Sequence, residues 1–195
     1  MDYETDDRLH VKIFDANAAR WEVPESVLPR PKVTKSHEKT ANYRFGFVSK
    51  PFGFFVSRAD TGELLFNSSA SSNNPQFKNL VFEDQYLEIS NQLPSGANVY
   101  GLGERVRALR LSEGLTYTLW NADEATPVDQ NIYGFHPYYL EMRNGKAHGV
   151  VSQRKKKKRK KNQTTTTLWR MSWLISQSFS SFSLAAALEL ERHGH

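Results

Sequence analysis

An Asn-Gly pair between two β-rich flanks constrains the fold of this chain more than any other feature. The stretch YYLEMRNGKAHGVV, residues 138–151, places Asn144 and Gly145 at its centre. A type I′ turn needs φ > 0 at both central residues, and Asn-Gly meets that need at little steric cost. The stretch therefore predicts an antiparallel β-hairpin.

Other segments before residue 152 carry the same β character. Leu9, Val11 and Ile13 alternate with polar residues, and Leu87 and Ile89 do the same, which is the period of half-buried strands. The stretch FGFFVSRADTGELLFNSS predicts a second hairpin that turns at Asp60-Thr61-Gly62. No stretch before residue 152 has a helical period, so short strands with repeated turn signals predict an all-β antiparallel sandwich or barrel.

Charge divides the chain into two parts. Residues 152–195 carry ten Lys or Arg and two Glu, a net charge of +8, whereas residues 1–151 carry 16 basic and 19 acidic side chains, a net charge of −3. Eight consecutive basic residues, 154–161, account for most of that difference. Because residues 1–151 have no basic stripe, they do not predict a nucleic-acid-binding domain.

The C-terminal part, residues 152–195, is predicted to be a separate, low-complexity tail. It is expected to be disordered, or weakly helical near LAAALELE, residues 184–191. Residues 168–188 are rather apolar, but they include Arg170, Gln177 and six serines, so they predict no membrane span. The domain boundary is placed after Val151.

Several classes of site have no support in the sequence. The chain has no cysteine, which excludes disulfides and thiolate chemistry. Gly101-Leu102-Gly103 lacks the third glycine and the following helix of a dinucleotide loop and is predicted to be a turn. His136 and His148 match no standard metal-site spacing, so neither a metal nor a cofactor is expected.

Three segments together resemble one known family. They are YGLGER, YTLWNAD and NIYGFHPYYLEMRNGKAHGV, and they occur in that order between residues 100 and 150. They resemble the N-terminal β-sandwich of glycoside hydrolase family 31, the α-glucosidases and α-xylosidases. RLHVKIFDANAARWEVPESVLPRP and LVFEDQYLEISNQLP are similar to the same family, so the resemblance covers residues 7–150.

The resemblance implies a galactose-mutarotase-like sandwich followed by a (β/α)8 catalytic barrel. Retaining glycosidases need two carboxylates roughly 5 Å apart. The family carries both on the barrel, with the nucleophile in a Trp-x-Asp-Met-Asn-Glu motif that this sequence lacks. The basic run stands where the family's sandwich continues. We therefore expect an incomplete sandwich, an N-terminal fragment with no catalytic residues.

The resemblance also implies one sugar-contacting segment. The family has a loop over the barrel mouth with an Asp, in a Trp-Asn-Arg-Asp-like motif, that hydrogen-bonds the bound sugar. Trp120-Asn121-Ala122-Asp123 corresponds to it, which makes Asp123 and Trp120 the candidate α-glucoside-binding residues. Ala122 departs from the family's usual Arg, and a solvated turn carboxylate is the structural alternative for Asp123.

Three hypotheses for function follow. The first is the N-terminal part of an α-glucosidase that hydrolyses terminal α-linked glucose as a whole. The second is a free-standing carbohydrate-binding sandwich. The third is a nuclear or nucleic-acid interaction protein that acts through the basic residues 154–161. We expect these residues to contact phosphates without base preference, and so to bind no specific nucleic acid. The acidic start MDYETDD is no secretory signal, although the family is often secretory, lysosomal or vacuolar.

Overall fold

The chain is almost entirely β-structured over the part that the structure describes. The computed structural model describes residues 1–17, 24–27, 29, 37–69, 80–83, 87–91, 93–121, 123, 125, 127–134 and 136–152, and the backbone of residues 169–172 and 182–187. Within these residues helix is confined to one turn, α1 (His37–Thr40). The strands are β1 (Asp2–Thr5), β2 (Arg8–His10), β3 (Tyr43–Ser49), β4 (Phe52–Arg58), β5 (Leu64–Asn67), β6 (Leu80–Phe82), β7 (Leu87–Asn91), β8 (Asn98–Gly101), β9 (Thr116–Leu119), β10 (Tyr138–Arg143), β11 (Lys146–Val151), β12 (Trp169–Ser172) and β13 (Phe182–Ala187).

The strands form four antiparallel sheets. β1 pairs with β2, and β3, β4 and β5 form a meander. A third sheet has the order β11-β10-β8, and the largest has the order β6-β7-β13-β12-β9. The antiparallel β-sandwich predicted from the sequence is confirmed.

Both predicted hairpins are present. Arg143 pairs with Lys146, and the residues between them, Asn144 and Gly145, have φ values of 50° and 74°. This is the geometry that the type I′ turn requires. The second hairpin joins β4 to β5, and Gly62 occupies its turn with φ 71°.

The predicted strand at residues 9–13 is shorter than expected. β2 ends at His10, and Val11 and Ile13 lie outside it. His10 pairs with Asp2, the first residue of β1, and the β1-β2 ladder ends at this pair. The predicted strand at Leu87 and Ile89 is confirmed as β7.

One hydrophobic core joins the β11-β10-β8 sheet to the five-stranded sheet. Val99 and Tyr139 come from the β11-β10-β8 sheet and Tyr117 and Leu119 from β9 of the five-stranded sheet, and all four are at least 98% buried. The loop residues that complete the cluster are Leu93, Ala97, Leu102 and Leu111, with Ile89 and Val150 packed against it. Two sheets that share one apolar layer in this way form a sandwich.

The β3-β4-β5 sheet has its own aromatic stack. The rings of Phe45 and Phe54 have centroids 5.7 Å apart, and those of Phe54 and Phe66 are 5.1 Å apart. Phe54 and Phe66 are buried. Stacked rings at this spacing add to the free energy gained from burial.

Asn91 connects this aromatic sheet to the main core. Its side-chain oxygen accepts a hydrogen bond from the Asn67 backbone amide of the β3-β4-β5 sheet (2.8 Å), and its side-chain nitrogen donates to the Tyr139 hydroxyl of the β11-β10-β8 sheet (2.7 Å). Asn91 itself belongs to β7 of the five-stranded sheet and is 1% exposed. A single amide therefore joins three sheets.

The tail differs from its predicted state in two segments. Phe182–Ala187 is a strand, so the weak helix expected near LAAALELE is wrong for the part of that stretch that the structure describes. β13 pairs with β7, and β12 pairs with β9. β12 and β13 also pair with each other. Ladder hydrogen bonds on both sides outweigh the helix preference of alanine and leucine, which amounts to a few tenths of a kcal/mol per residue.

The rest of the tail, including the basic run 154–161, lies outside the described residues. The apolar stretch 168–188 is described only in part. Among the described residues, no helix has the length and apolar character of a membrane-crossing segment.

A buried ion-pair network lies within the β10-β11 hairpin. Glu141 is fully buried, and its carboxylate accepts hydrogen bonds from the Arg143 guanidinium, one of them at 2.8 Å. His148, directly opposite on β11, places Nε2 3.4 Å from the same carboxylate. Arg143 also donates to the Leu64 carbonyl (2.8 Å), so the network reaches the β3-β4-β5 sheet.

Asn91→Ala should lower the free energy of unfolding by about 2–4 kcal/mol, because it leaves the Tyr139 hydroxyl and the Asn67 amide buried without this partner. Urea unfolding measures the change. Asn17→Ala, at an exposed asparagine, is the control and should shift it by less than about 0.5 kcal/mol. Tyr139→Phe combined with Asn91→Ala should cost less than the sum of the two single changes. Additive losses would contradict a shared bond.

The His148 imidazole should make stability depend on pH. Burial lowers its pKa below the ordinary 6.5, with Arg143 and Arg58 acting in the same sense and Glu141 opposing them. The unfolded chain takes up a proton near pH 6.5 while the folded chain resists it. The contribution of His148 to the free energy of unfolding should therefore fall as the pH drops from about 6.5 towards the folded pKa.

Urea midpoints between pH 8 and pH 5 test this dependence. His148→Gln should flatten the fall between pH 7 and pH 5 relative to the unchanged chain. His136→Gln, at an exposed histidine, is the matched control and should retain the fall. Equal slopes for the chain and its His148→Gln variant would refute the assignment.

Candidate functional site

Two of the three motif segments pair with each other at one end of the sandwich. The YGLGER segment, residues 100–105, leaves β8 and runs beside residues 132–138. Four backbone hydrogen bonds join them: Leu102 N to Tyr138 O (2.9 Å), His136 N to Gly103 O (2.9 Å), Glu104 N to Gly134 O (3.0 Å) and Ile132 N to Glu104 O (3.0 Å). The Glu104 carboxylate also accepts a bond from the Gly134 amide (3.1 Å).

Gly101 permits this close approach. Its φ is 108°, a conformation that side chains rarely adopt, and a Cβ added there would lie 2.5 Å from the Tyr138 carbonyl oxygen. A residue larger than glycine would push the two segments apart. In place of the turn predicted for Gly101-Leu102-Gly103, Gly101 ends β8 and Leu102, with φ 52°, forms a bend, and the chain keeps its pairing with residues 134–138.

Arg105 ties this pair of segments to the third motif. Its guanidinium donates through Nε to the Leu102 carbonyl (3.2 Å), through one terminal nitrogen to the Asp129 carbonyl (2.7 Å) and through the other to the Thr118 carbonyl. Thr118 lies in β9, in the YTLWNAD motif. Arg105 therefore holds three separate stretches of backbone together.

The charge of Arg105 sits in a partly apolar setting. The guanidinium lies over the Tyr117 ring, 5.5 Å from its centroid, and Arg107 lies over the same ring at 4.6 Å. Burial lowers the pKa of Arg105, and the neighbouring Arg107 acts in the same sense. Burial also raises the pKa of the Tyr117 hydroxyl, which donates to the Ser112 carbonyl (2.9 Å). An arginine stays charged under such conditions.

Trp120 and Asp123 follow β9 directly. Trp120 is half-buried where the strand ends, while Asn121 and Asp123 are exposed. The chain returns at residues 128–131, where Val106 pairs with Val128 and Arg105 with Asn131. The stretch from Trp120 to Pro127, here called the motif loop, is thus an excursion with a closed base. Residues 122, 124 and 126 of the loop lie outside the described residues.

The two histidines considered as metal ligands are far apart in character. His148 is buried against Glu141, whereas His136 is exposed beside the Gly134 turn. Within the described part of the chain, no group of three or more His, Cys, Asp or Glu side chains is placed to hold a metal ion.

Arg105 is part of YGLGER, but the sequence predicts no role for it. Its three acceptors are backbone carbonyls, which any residue type supplies, so no sequence pattern marks them. Asn131, 5% exposed, was also missed. Its side-chain nitrogen donates to the carbonyls of Ile132 (3.2 Å) and Gly134 (3.1 Å). A buried asparagine that satisfies turn carbonyls is a recurring device of irregular segments.

Residues 4–153 match the family model described as the glycosyl hydrolase 31 N-terminal galactose mutarotase-like domain. The chain belongs to glycosyl hydrolase family 31. The resemblance drawn from YGLGER and its companion motifs is confirmed, and residues 4–153 are the N-terminal β-sandwich domain of an α-glucosidase-like family member. The strand-rich fold agrees with that assignment.

Similar proteins of known sequence are several times longer than this chain. An alpha-glucosidase of Mucor javanicus is 44% identical over 154 residues, which cover 77% of this chain and 17% of that protein. A probable alpha-glucosidase of Oryza sativa subsp. japonica is 42% identical over 170 residues, 76% of this chain and 18% of that protein. The alpha-glucosidase of Schizosaccharomyces pombe is 41% identical and covers 77% and 15%. The chain thus spans less than a fifth of the length of these relatives.

Among solved structures, a family 31 dextranase of Flavobacterium johnsoniae is similar. It has been determined in complexes with isomaltotriose and with glucose. The TM-score is 0.45 at 18% identity, with 71% of this chain and 15% of that chain covered.

Asp123→Ala should leave the stability of the chain unchanged within about 0.5 kcal/mol, because the side chain is exposed beyond the end of β9. Urea unfolding is the measurement. Tyr117→Ala, at a core position 1% exposed, is the contrast and should cost about 3 kcal/mol or more. A large loss for Asp123→Ala would assign this carboxylate to the fold.

Proposed function

We propose that this domain contributes sugar contacts to an α-glucosidase, through Asp123 and Trp120 of the motif loop. The observation that carries the proposal is that one loop presents both the exposed Asp123 carboxylate and the half-buried Trp120 indole. Arg105 holds the two ends of this loop together. The names of the similar proteins support the substrate class, a terminal α-linked glucoside. Hydrolysis is the work of the whole protein, to which this domain contributes binding.

The two side chains suit a sugar for different reasons. A carboxylate accepts charge-assisted hydrogen bonds, so Asp123 can hold two hydroxyls at once. An indole offers a flat apolar body and a polar N–H, which fits the alternating apolar and hydroxylated surface of a pyranose. Ala122 stands where the family carries Arg, so a charge-based contact at that position is missing.

The chemistry of hydrolysis is assigned to residues other than these. Two displacements at the anomeric carbon need a nucleophile and a general acid/base roughly 5 Å apart across the sugar. The family's nucleophile motif is absent from the sequence. Asp123 by itself has no second carboxylate to protonate the leaving group. We assign this chain no catalytic residue and no cofactor.

We therefore expect no release of p-nitrophenol from p-nitrophenyl α-glucoside by the purified chain 1–195. Its Asp123→Ala variant is the matched control. Turnover above the no-enzyme background that is lost in the variant would place a complete active site in this chain and overturn the assignment.

The binding role of Asp123 is read in a longer protein, in which residues 1–150 continue in the family's frame into the barrel. There Asp123→Ala should lower kcat/KM by an amount equivalent to about 1.5–3 kcal/mol, as expected when a charged hydrogen bond to substrate is lost. Asn121→Ala, on the same exposed loop, is the comparison and should have a smaller effect. Equal kcat/KM for Asp123→Ala and the unchanged enzyme would remove Asp123 from the site.

A free-standing carbohydrate-binding sandwich is the second candidate. The two candidate functions differ in whether sugar binding requires an attached barrel. We propose a functional boundary after Val151, with residues 152–195 extraneous to sugar contact. Binding of an α-glucoside to the chain 1–195 without a barrel favours the binding module. Binding seen only when a barrel is attached favours the α-glucosidase domain.

We assign the basic run 154–161 no selective partner. Eight adjacent cations contact phosphates without reading bases, and such contacts weaken steeply as salt rises. The net charge of −3 on residues 1–151 supplies no further basic surface to extend them.

A further inference from the structure

We infer that Arg105 is a positioning residue that closes the base of the motif loop and so fixes where Trp120 and Asp123 stand. The inference rests on the proposed function of that loop. It concerns how the loop is held, which the sugar contacts alone do not determine.

The guanidinium spans both limbs of the loop. One terminal nitrogen donates to the carbonyl of Thr118 on the outgoing limb, two residues before Trp120. The other donates to the carbonyl of Asp129 on the returning limb (2.7 Å). Everything that the family motif places in this loop lies between these two carbonyls.

Backbone pairing also holds the returning limb to residues 105 and 106. The Asp129 amide donates to the Val106 carbonyl (3.2 Å), and isolated bridges join Arg105 to Asn131 and Val106 to Val128. The outgoing limb, β9, instead pairs with β12 through Thr118 and Arg170. The Arg105 side chain therefore couples two limbs that belong to different ladders.

The arrangement requires an arginine. Three N–H groups that lie in one plane and point in different directions meet three carbonyls, including that of Leu102 through Nε (3.2 Å). Lysine has a single nitrogen, which cannot reach carbonyls spread along such a fork. The Tyr117 ring beneath the guanidinium limits its movement out of that plane. Lysine at this position would keep the charge and lose the clamp.

Asp129 adds a second tie through Arg107. Its carboxylate lies 3.7 Å from the Arg107 Nε, and the Arg107 guanidinium shares the Tyr117 ring with Arg105. For this reason Arg107 is unsuitable as a control. Arg110 is exposed and donates to the Gly96 carbonyl of another loop (3.1 Å), which gives a matched arginine outside the clamp.

The test follows the loop in the full chain 1–195 labelled with 5-fluorotryptophan. Trp120→Phe assigns the Trp120 fluorine signal among the four tryptophans. Arg105→Lys should shift or broaden that signal while Arg110→Lys leaves it unchanged. The endoproteinase that cleaves before aspartate should cut at the exposed Asp123 about fivefold faster or more in Arg105→Lys, under conditions in which both variants are folded, because the loop then opens locally.

Two results would overturn the inference. One is a Trp120 signal and an Asp123 cleavage rate in Arg105→Lys equal to those of the unchanged chain. The other is global unfolding of Arg105→Lys, measured by circular dichroism, which would assign Arg105 to the fold as a whole.

A sugar titration separates this inference from the proposed function. In the longer protein with the barrel attached, methyl α-glucoside should shift the Trp120 signal, and Arg105→Lys should weaken that binding about fivefold or more. No response of that longer protein to sugar, together with a changed loop in the Arg105→Lys variant of chain 1–195, would refute the sugar site and keep the clamp. A sugar response equal in the longer protein and its Arg105→Lys variant would refute the clamp and keep the site.

Discussion

The sandwich depends on one buried amide. Asn91 belongs to the five-stranded sheet, and it bonds to Asn67 in the aromatic sheet and to Tyr139 in the three-stranded sheet. A sheet with one apolar face must bury that face against another layer. Apolar contact alone sets no unique orientation between layers, whereas a buried amide with two fixed partners does. Asn91, together with the Arg143 bond to the Leu64 carbonyl, therefore fixes how the three sheets are placed.

The same physical rule operates at the functional end of the domain. Where the ladders stop, backbone carbonyls lose their regular partners, and burial without partners is costly. Asn131 satisfies turn carbonyls with an amide, and Arg105 satisfies three of them with one cation. The loop that carries Asp123 is thereby held by polar side chains beneath it, while its own exposed residues stay free to contact a ligand. The structural roles and the proposed binding role thus fall on different residues.

Local chemistry explains what the sequence could predict. The Asn144-Gly145 turn, the alternation at β7 and the motif order each depend on neighbouring residues, and all three were confirmed. Two features escaped because their causes are distant in sequence. The strand at Phe182–Ala187 exists through pairing with β7, whereas its own alanines and leucine favour helix. Arg105 acts on carbonyls, which carry no residue signature. The role of Asp123 stays a prediction.

The strand order of the largest sheet has a consequence for how the chain folds. β7 and β9 are not neighbours, since β13 and β12 lie between them, and these two strands come from the far end of the described sequence. Pairings between distant segments form late, after the local hairpins. During synthesis β7 and β9 must wait, each with an open hydrogen-bonding edge, until the last strands emerge. The nascent domain is thus most prone to wrong partners in that interval, and a chaperone that shields strand edges would act on it there.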